Sequence, residues 1–100
     1  MTTLFIDDER FPVDSSFVIV RSSAEAMDWV KANGIPQHIC FDHDLGGDDT
    51  SMVFLKQLSE WMMDNWKSFP EGFSYSIHSQ NPVGRENIKG WMANMLRVFV

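Results

Sequence analysis

The residues able to do chemistry fall in three short runs: Asp7-Asp8-Glu9-Arg10, the Asp42-His43-Asp44 triplet of FDHDLGG at 41–47, and HSQNPVGREN from His78 onward. A plain turn needs one Asp and one Gly, so a triplet followed by Gly46 and Gly47 has polar residues to spare. Carboxylates held close together raise one another's pKa, and that cost falls when a divalent cation binds between them or an arginine stands nearby. Asp7, Asp8, Asp42 and Asp44 are therefore candidate ligands for Mg²⁺ or Mn²⁺. His43 lies between two carboxylates that could orient its ring, and His78 closes an apolar run just before Ser79. Imidazoles titrate near neutrality, so the two are candidates for a joint acid–base role, with Asp42 and Asp44 as their carboxylate partners. The bland alternative, solvated loop acids and helix caps, stands evenly against a site role for Asp48 and Asp49. His38 reads as a surface or packing residue.

Asn81-Pro82 has the form of an N-cap followed by Pro at the first helical position. A helix starting there presents free backbone N–H groups and the positive end of its dipole, with Ser79 and Arg85 near enough to donate to a phosphate oxygen. Alone, this is an ordinary capped helix with Gly84 in its first turn. Beside two histidines, phosphate is the ligand that suits it.

The elements that must position these runs alternate. Thr3–Ile6 predicts a first strand and Phe17–Val20 a second, joined by only a short connector, FPVDSS, too brief for a crossover helix. Ser22-x-x-Glu25 is a capping-box pattern opening a helix that Gly34 and Pro36 close. Ile39–Phe41 predicts a third strand. After it, Phe54, Leu55, Leu58, Trp61, Met62 and Trp66 recur at helical spacing. Phe73, Tyr75 and Ile77 alternate with Ser74, Ser76 and His78 as a fourth strand. Ile88, Trp91, Met92, Met95 and Leu96 stripe a last helix, and Val98–Val100 could add a fifth strand. Strands alternating with helices predict an α/β fold with a mostly parallel sheet, where ligands sit beyond the carboxyl ends of the strands. If strands one, three and four are neighbours, the three runs converge on one cleft.

One hundred residues with 44% hydrophobic content suit one domain, residues 1–100, with a core that needs no disulfide. A net charge of −6 opposes broad nucleic-acid binding and anionic membranes, which call for a basic face. Cys40, alone in an apolar run, reads as a core residue, and with no apolar segment of spanning length the expectation is a cytoplasmic protein. An exposed Trp29 or Met63 could mark a dimer face; the oligomeric state is left open.

DDER at the end of a strand and an Asp at the end of the third resemble response-regulator receiver domains, whose acids hold Mg²⁺. The lysine such domains carry on a fifth strand has no counterpart, so a phosphoacceptor role is the weaker match. The chain is more similar to the cyclic-phosphate processing receiver domains: a strand ending DDxR, an Arg-Ser step into a helix, FDHDLG, and HSxNPxG before the last helix. Here these are Asp7 to Arg10, Arg21-Ser22, Phe41 to Gly46 and His78 to Gly84. The resemblance implies a three-layer receiver-like (flavodoxin-like) domain of four to five strands with a truncated first crossover. It implies an acidic pocket of Asp7, Asp8, Asp42 and Asp44, catalytic His43 and His78, and substrate contacts from Arg10, Arg21 and Ser79; the helix start itself adds Asn81, Gly84 and Arg85 as substrate-binding candidates. The expected activity is that of a small phosphoesterase, a hydrolase acting on cyclic phosphates of nucleotides or RNA-derived products. The alternative is a non-catalytic module that binds a nucleotide or a protein partner.

Overall fold

The computed structural model describes residues 2–99. Four parallel strands form one sheet in the order β2-β1-β3-β4: β1 (Thr3–Ile6), β2 (Val18–Val20), β3 (His38–Phe41) and β4 (Ser74–Ile77). The helices are α1 (Ser23–Asn33), α2 (Ser51–Asp64) and α3 (Pro82–Val98). β1, β3 and β4 are neighbours in register, with Ile6 opposite Phe41 and Phe41 opposite Ile77, so the loops that follow them leave the sheet side by side.

Capping chemistry starts and stops the helices. The Ser22 hydroxyl accepts from the Glu25 amide, while the Glu25 carboxylate reaches back to the amide of Arg21, one residue earlier than an ideal capping box. Gly34, at φ 88°, ends α1, and its N–H donates to Val30. Asn81 caps α3 by accepting from the Gly84 N–H, with Pro82 at the first position. α2 stops in a different way: Lys67 donates back to Met62, and Trp66 takes the left-handed conformation, φ 55°, that glycine usually fills there. Trp66 thus leaves the predicted apolar stripe and stands 95% exposed beside Met63, whereas Phe54, Leu55, Leu58 and Met62 are buried and Trp61 packs on the core.

Leu4, Ile6, Ile39 and Phe41 share one face of the sheet and join residues of all three helices in a single apolar core. The chain runs from β2 across β1 to β3 and on to β4 in one direction, so right-handed crossovers put α1 and α2 on the same side. The parallel sheet and truncated first crossover agree with the expectation, but the layering differs. Among the described residues all three helices share one core, and the other sheet face carries no helix, because residues 7–17 are too few to supply one. That face tolerates water through polar residues: the His38 ring bonds the hydroxyls of Ser74 (2.7 Å) and Ser76 (3.1 Å), and Ser76 donates to Cys40 Sγ at 3.4 Å. The fifth strand expected at 98–100 is not formed: Val98 is the last residue of α3 and the Phe99 N–H caps it on Met95. Val100 lies outside the described residues.

Candidate functional site

Asp7 follows β1, Asp42 follows β3 and His78 follows β4, and because those strands are adjacent the three side chains meet. One ligand-capable atom from each lies within 4.8 Å of the others. Asp7 is fully buried, and both of its oxygens are engaged: Oδ1 accepts the amides of Glu9 (3.0 Å) and Arg10 (2.9 Å), while Oδ2 faces His78 Nε2 at 2.9 Å. The His78 ring lies flat on Phe5, centroids 4.7 Å apart and planes 3° from parallel, so its orientation is held from two sides. Asp42 is only 9% exposed, and among the described residues its carboxylate has no side-chain hydrogen-bond partner.

The two carboxyls are driven apart electrostatically. Burial pushes Asp7 up, but the Arg10 and Glu9 amides and the His78 ring together outweigh it, and the group sits below the usual carboxylate range. Asp42 sits above that range, through burial first and the Asp7 charge second, with His78, Arg10 and the His43 amide giving partial relief. Paired groups with opposed shifts are a recurrent feature of acid–base sites.

A second carboxylate–imidazole pair stands alongside. His43 Nδ1 is 3.1 Å from Asp44 Oδ1, and Asp44 Oδ2 is 3.5 Å from the Asn81 side-chain amide. The first turn of α3 presses on this histidine: a Cβ on Gly84 would come within 2.8 Å of His43 Cβ and closer still to the ring. Gly84 is therefore the residue that lets helix and imidazole touch. The loop between is drawn tight by the Asp44–Thr50 bridge, by the Ser51 amide on the His43 carbonyl and by the Ser51 hydroxyl on the Asp42 carbonyl.

The cationic side is built by the β1–β2 connector together with Arg21, the residue that follows β2. Arg21 Nη1 donates to the carbonyls of Asp7 (3.0 Å) and Arg10, its guanidinium covers the Phe11 ring at 4.7 Å, and Arg10 Nη1 donates to the His78 carbonyl at 3.2 Å. Ser79 is buried and accepts the Asn81 amide, and Arg85 is exposed on the first turn of α3.

The expected four-carboxylate metal set is not what the fold assembles. Asp8 is exposed beside Gly46, and Asp44 turns toward His43 and Asn81; the third donor beside Asp7 and Asp42 is His78. The cause is the bend after Phe41, which breaks strand alternation and sends Asp42 and Asp44 to different partners. Asp49, left open between cap and site, caps the neighbouring helix by accepting from the Ser23 amide and hydroxyl. Phe5, Phe11 and Ser51 shape the site without having signalled it, since an apolar residue in a strand or loop and a Ser at a helix start carry no motif.

A parallel sheet with its polar groups gathered at the carboxyl ends defines a receiver-like α/β domain. The chain belongs to the family described as the cyclic-phosphate processing receiver domain, whose model matches residues 2–94. No curated protein and no solved structure shows significant similarity to it. Among the described residues no helix is long and apolar enough to cross a membrane.

Proposed function

We propose that the protein is a phosphoesterase that opens cyclic phosphodiesters on nucleotides or RNA-derived products. The observation that carries this reading is the presence of two carboxylate–imidazole pairs, Asp7–His78 and Asp44–His43, after adjacent strands. A hydrolytic ring opening needs one group to take a proton from water as its oxygen bonds phosphorus, and a second to give a proton to the ring oxygen that leaves. Two imidazoles, each held by a carboxylate, match that demand. Arg10 and the N-terminal turn of α3 supply positive charge for the phosphoryl oxygens. The family supports the substrate class, because its description names cyclic-phosphate processing.

An anionic substrate would meet a chain of net charge −6, so charge compensation matters. Two carboxylates and an imidazole nitrogen also suit a divalent ion such as Mn²⁺ or Mg²⁺, held by Asp7, Asp42 and His78. Such an ion would supply Lewis acidity and offset the carboxylate charge. With an ion held there, His78 would be one of its ligands and His43 would remain as the imidazole free to give or take a proton.

Phosphorus NMR of the protein with 2′,3′-cyclic and 3′,5′-cyclic nucleotides and ADP-ribose cyclic phosphate, in Mn²⁺ or EDTA, tests the proposal. A ring-opened monoester from one member, lost in His43→Ala and His78→Ala, is the expected result. Turnover lost in EDTA and restored by Mn²⁺ would show a metal requirement, with Asp7, Asp42 and His78 as the candidate ligands. Undiminished turnover in both variants would overturn the histidine assignment, and line broadening without turnover would favour a binding module.

A further inference from the structure

The truncated connector between β1 and β2 places one large aromatic in solvent beside the site. Phe11 is 78% exposed, although burying such a ring is among the larger stabilising contributions a side chain can make. It is not loose: Arg21 covers one face at 4.7 Å, and that guanidinium is itself held by the Asp7 and Arg10 carbonyls. Asp7 belongs to the Asp7, Asp42 and His78 trio, and Arg10 is the neighbour of Phe11 in sequence and bonds the His78 carbonyl. Phe11 is therefore tied through one fixed arginine to the groups that would meet a phosphate, with its other face open to solvent.

We infer that Phe11, backed by Arg21, is a stacking platform for a flat heteroaromatic ring of the ligand. The favoured ligands are then cyclic phosphates that carry a base, over those built on a sugar or polyol alone. This rests on the proposed cyclic-phosphate reading and adds a residue that sets its specificity. Every base has a π-face, so a platform of this kind discriminates base from no base more than one base from another. A cation on the far side of the ring reinforces the sandwich and fixes its plane. The phosphate would lie toward Arg10 and His78, and the base toward β2.

Isothermal titration with adenosine 2′,3′-cyclic phosphate and with glycerol 1,2-cyclic phosphate tests the inference on the full chain. Wild type is expected to bind the nucleotide more tightly. Phe11→Ala should weaken nucleotide binding roughly fivefold to a hundredfold, the span seen for loss of one base–aromatic stack, and leave the glycerol compound where it was. Phe11→Trp should restore the preference, with indole fluorescence quenched by the nucleotide and not by the glycerol compound. Val13→Ala, on the same connector and fully exposed, is the control and should change neither affinity. Equal loss of both ligands in Phe11→Ala, or no loss of either, would overturn the platform while leaving the cyclic-phosphate site standing. Failure of wild type to bind either ligand would instead remove the cyclic-phosphate reading and the platform with it.

Discussion

Asp42→Asn is expected to raise the unfolding temperature at neutral pH in EDTA, whereas Asp7→Asn is expected to lower it. Both carboxyls are buried at the ends of adjacent strands, but their surroundings differ. Asp42 has no side-chain hydrogen-bond partner among the described residues, and burial and the Asp7 charge hold it above its ordinary pKa, so an uncharged amide of the same shape relieves a cost. Asp7 accepts two amides and faces the His78 ring; an Asn there turns one bond into a donor-to-donor conflict or gives up an amide contact, a loss of about 1–3 kcal/mol. Thermal melts of the two variants decide the matter, and stabilisation of both or loss in both would contradict it. Sequence alone showed that Asp7, Asp42 and His78 were candidates, because aspartate and histidine after apolar runs are visible in one dimension. It offered Asp42 and Asp44 alike as partners for His43, and only the fold shows that Asp44 takes that place and leaves the acidic cluster, since the backbone bend after Phe41 decides which way each side chain turns.

The two glycines of α3 separate helix propensity from packing. Gly84→Ala should destabilise by roughly 1–3 kcal/mol, because its Cβ would enter the space of the His43 side chain. Gly90→Ala, with nothing within 4 Å of the new methyl, should stabilise by about 0.5–1 kcal/mol, as alanine does in an unobstructed helix. Denaturant midpoints of the pair are a direct comparison, and the same sign for both would refute the packing role of Gly84. At the end of α2, Trp66→Gly should stabilise by about 1 kcal/mol. It relieves the left-handed backbone of a residue with a Cβ, and the 95% exposed indole gives up little burial. A loss of stability there would mean that the indole is held by contacts beyond its helix.

For the molecule as a whole, the pH dependence of stability should have opposed parts. His38 is pushed below its ordinary pKa by burial, so the unfolded chain binds its proton more readily; its contribution is present above about pH 6.5 and is lost as pH falls through the folded value. Asp7 lies below its ordinary value, so its contribution holds above about pH 4 and is lost at lower pH. Asp42 acts the other way. Its charge is penalised at neutral pH, and stability is regained as pH falls through its raised pKa toward the ordinary range. His38→Gln should flatten the decline that begins near pH 6.5, while Asp42→Asn should steepen the net loss below neutrality by removing the compensating gain. Urea midpoints across pH 3–8 measure both, and an unchanged slope in His38→Gln would exclude that histidine as a titrating group. His38 matters at this scale because it belongs to the polar rows of the sheet face that has no helix over it.

The features legible along the chain are local in origin: the apolar runs of the strands, the caps at Ser22 and Asn81, the glycine stop at Gly34, and the order of the acidic and histidine runs. Each depends on residues a few positions apart, where propensity and hydrogen-bonding chemistry act directly. The rest came from packing in three dimensions. Strand order set the meeting of Asp7, Asp42 and His78, because residues 71 positions apart in sequence become neighbours only when β1, β3 and β4 pair. The short first connector left one sheet face without a helix and set Phe11 against Arg21, and the seating of α3 made Gly84 a contact for His43. Those outcomes follow from how whole elements exclude one another in space, which no run of neighbouring residues encodes.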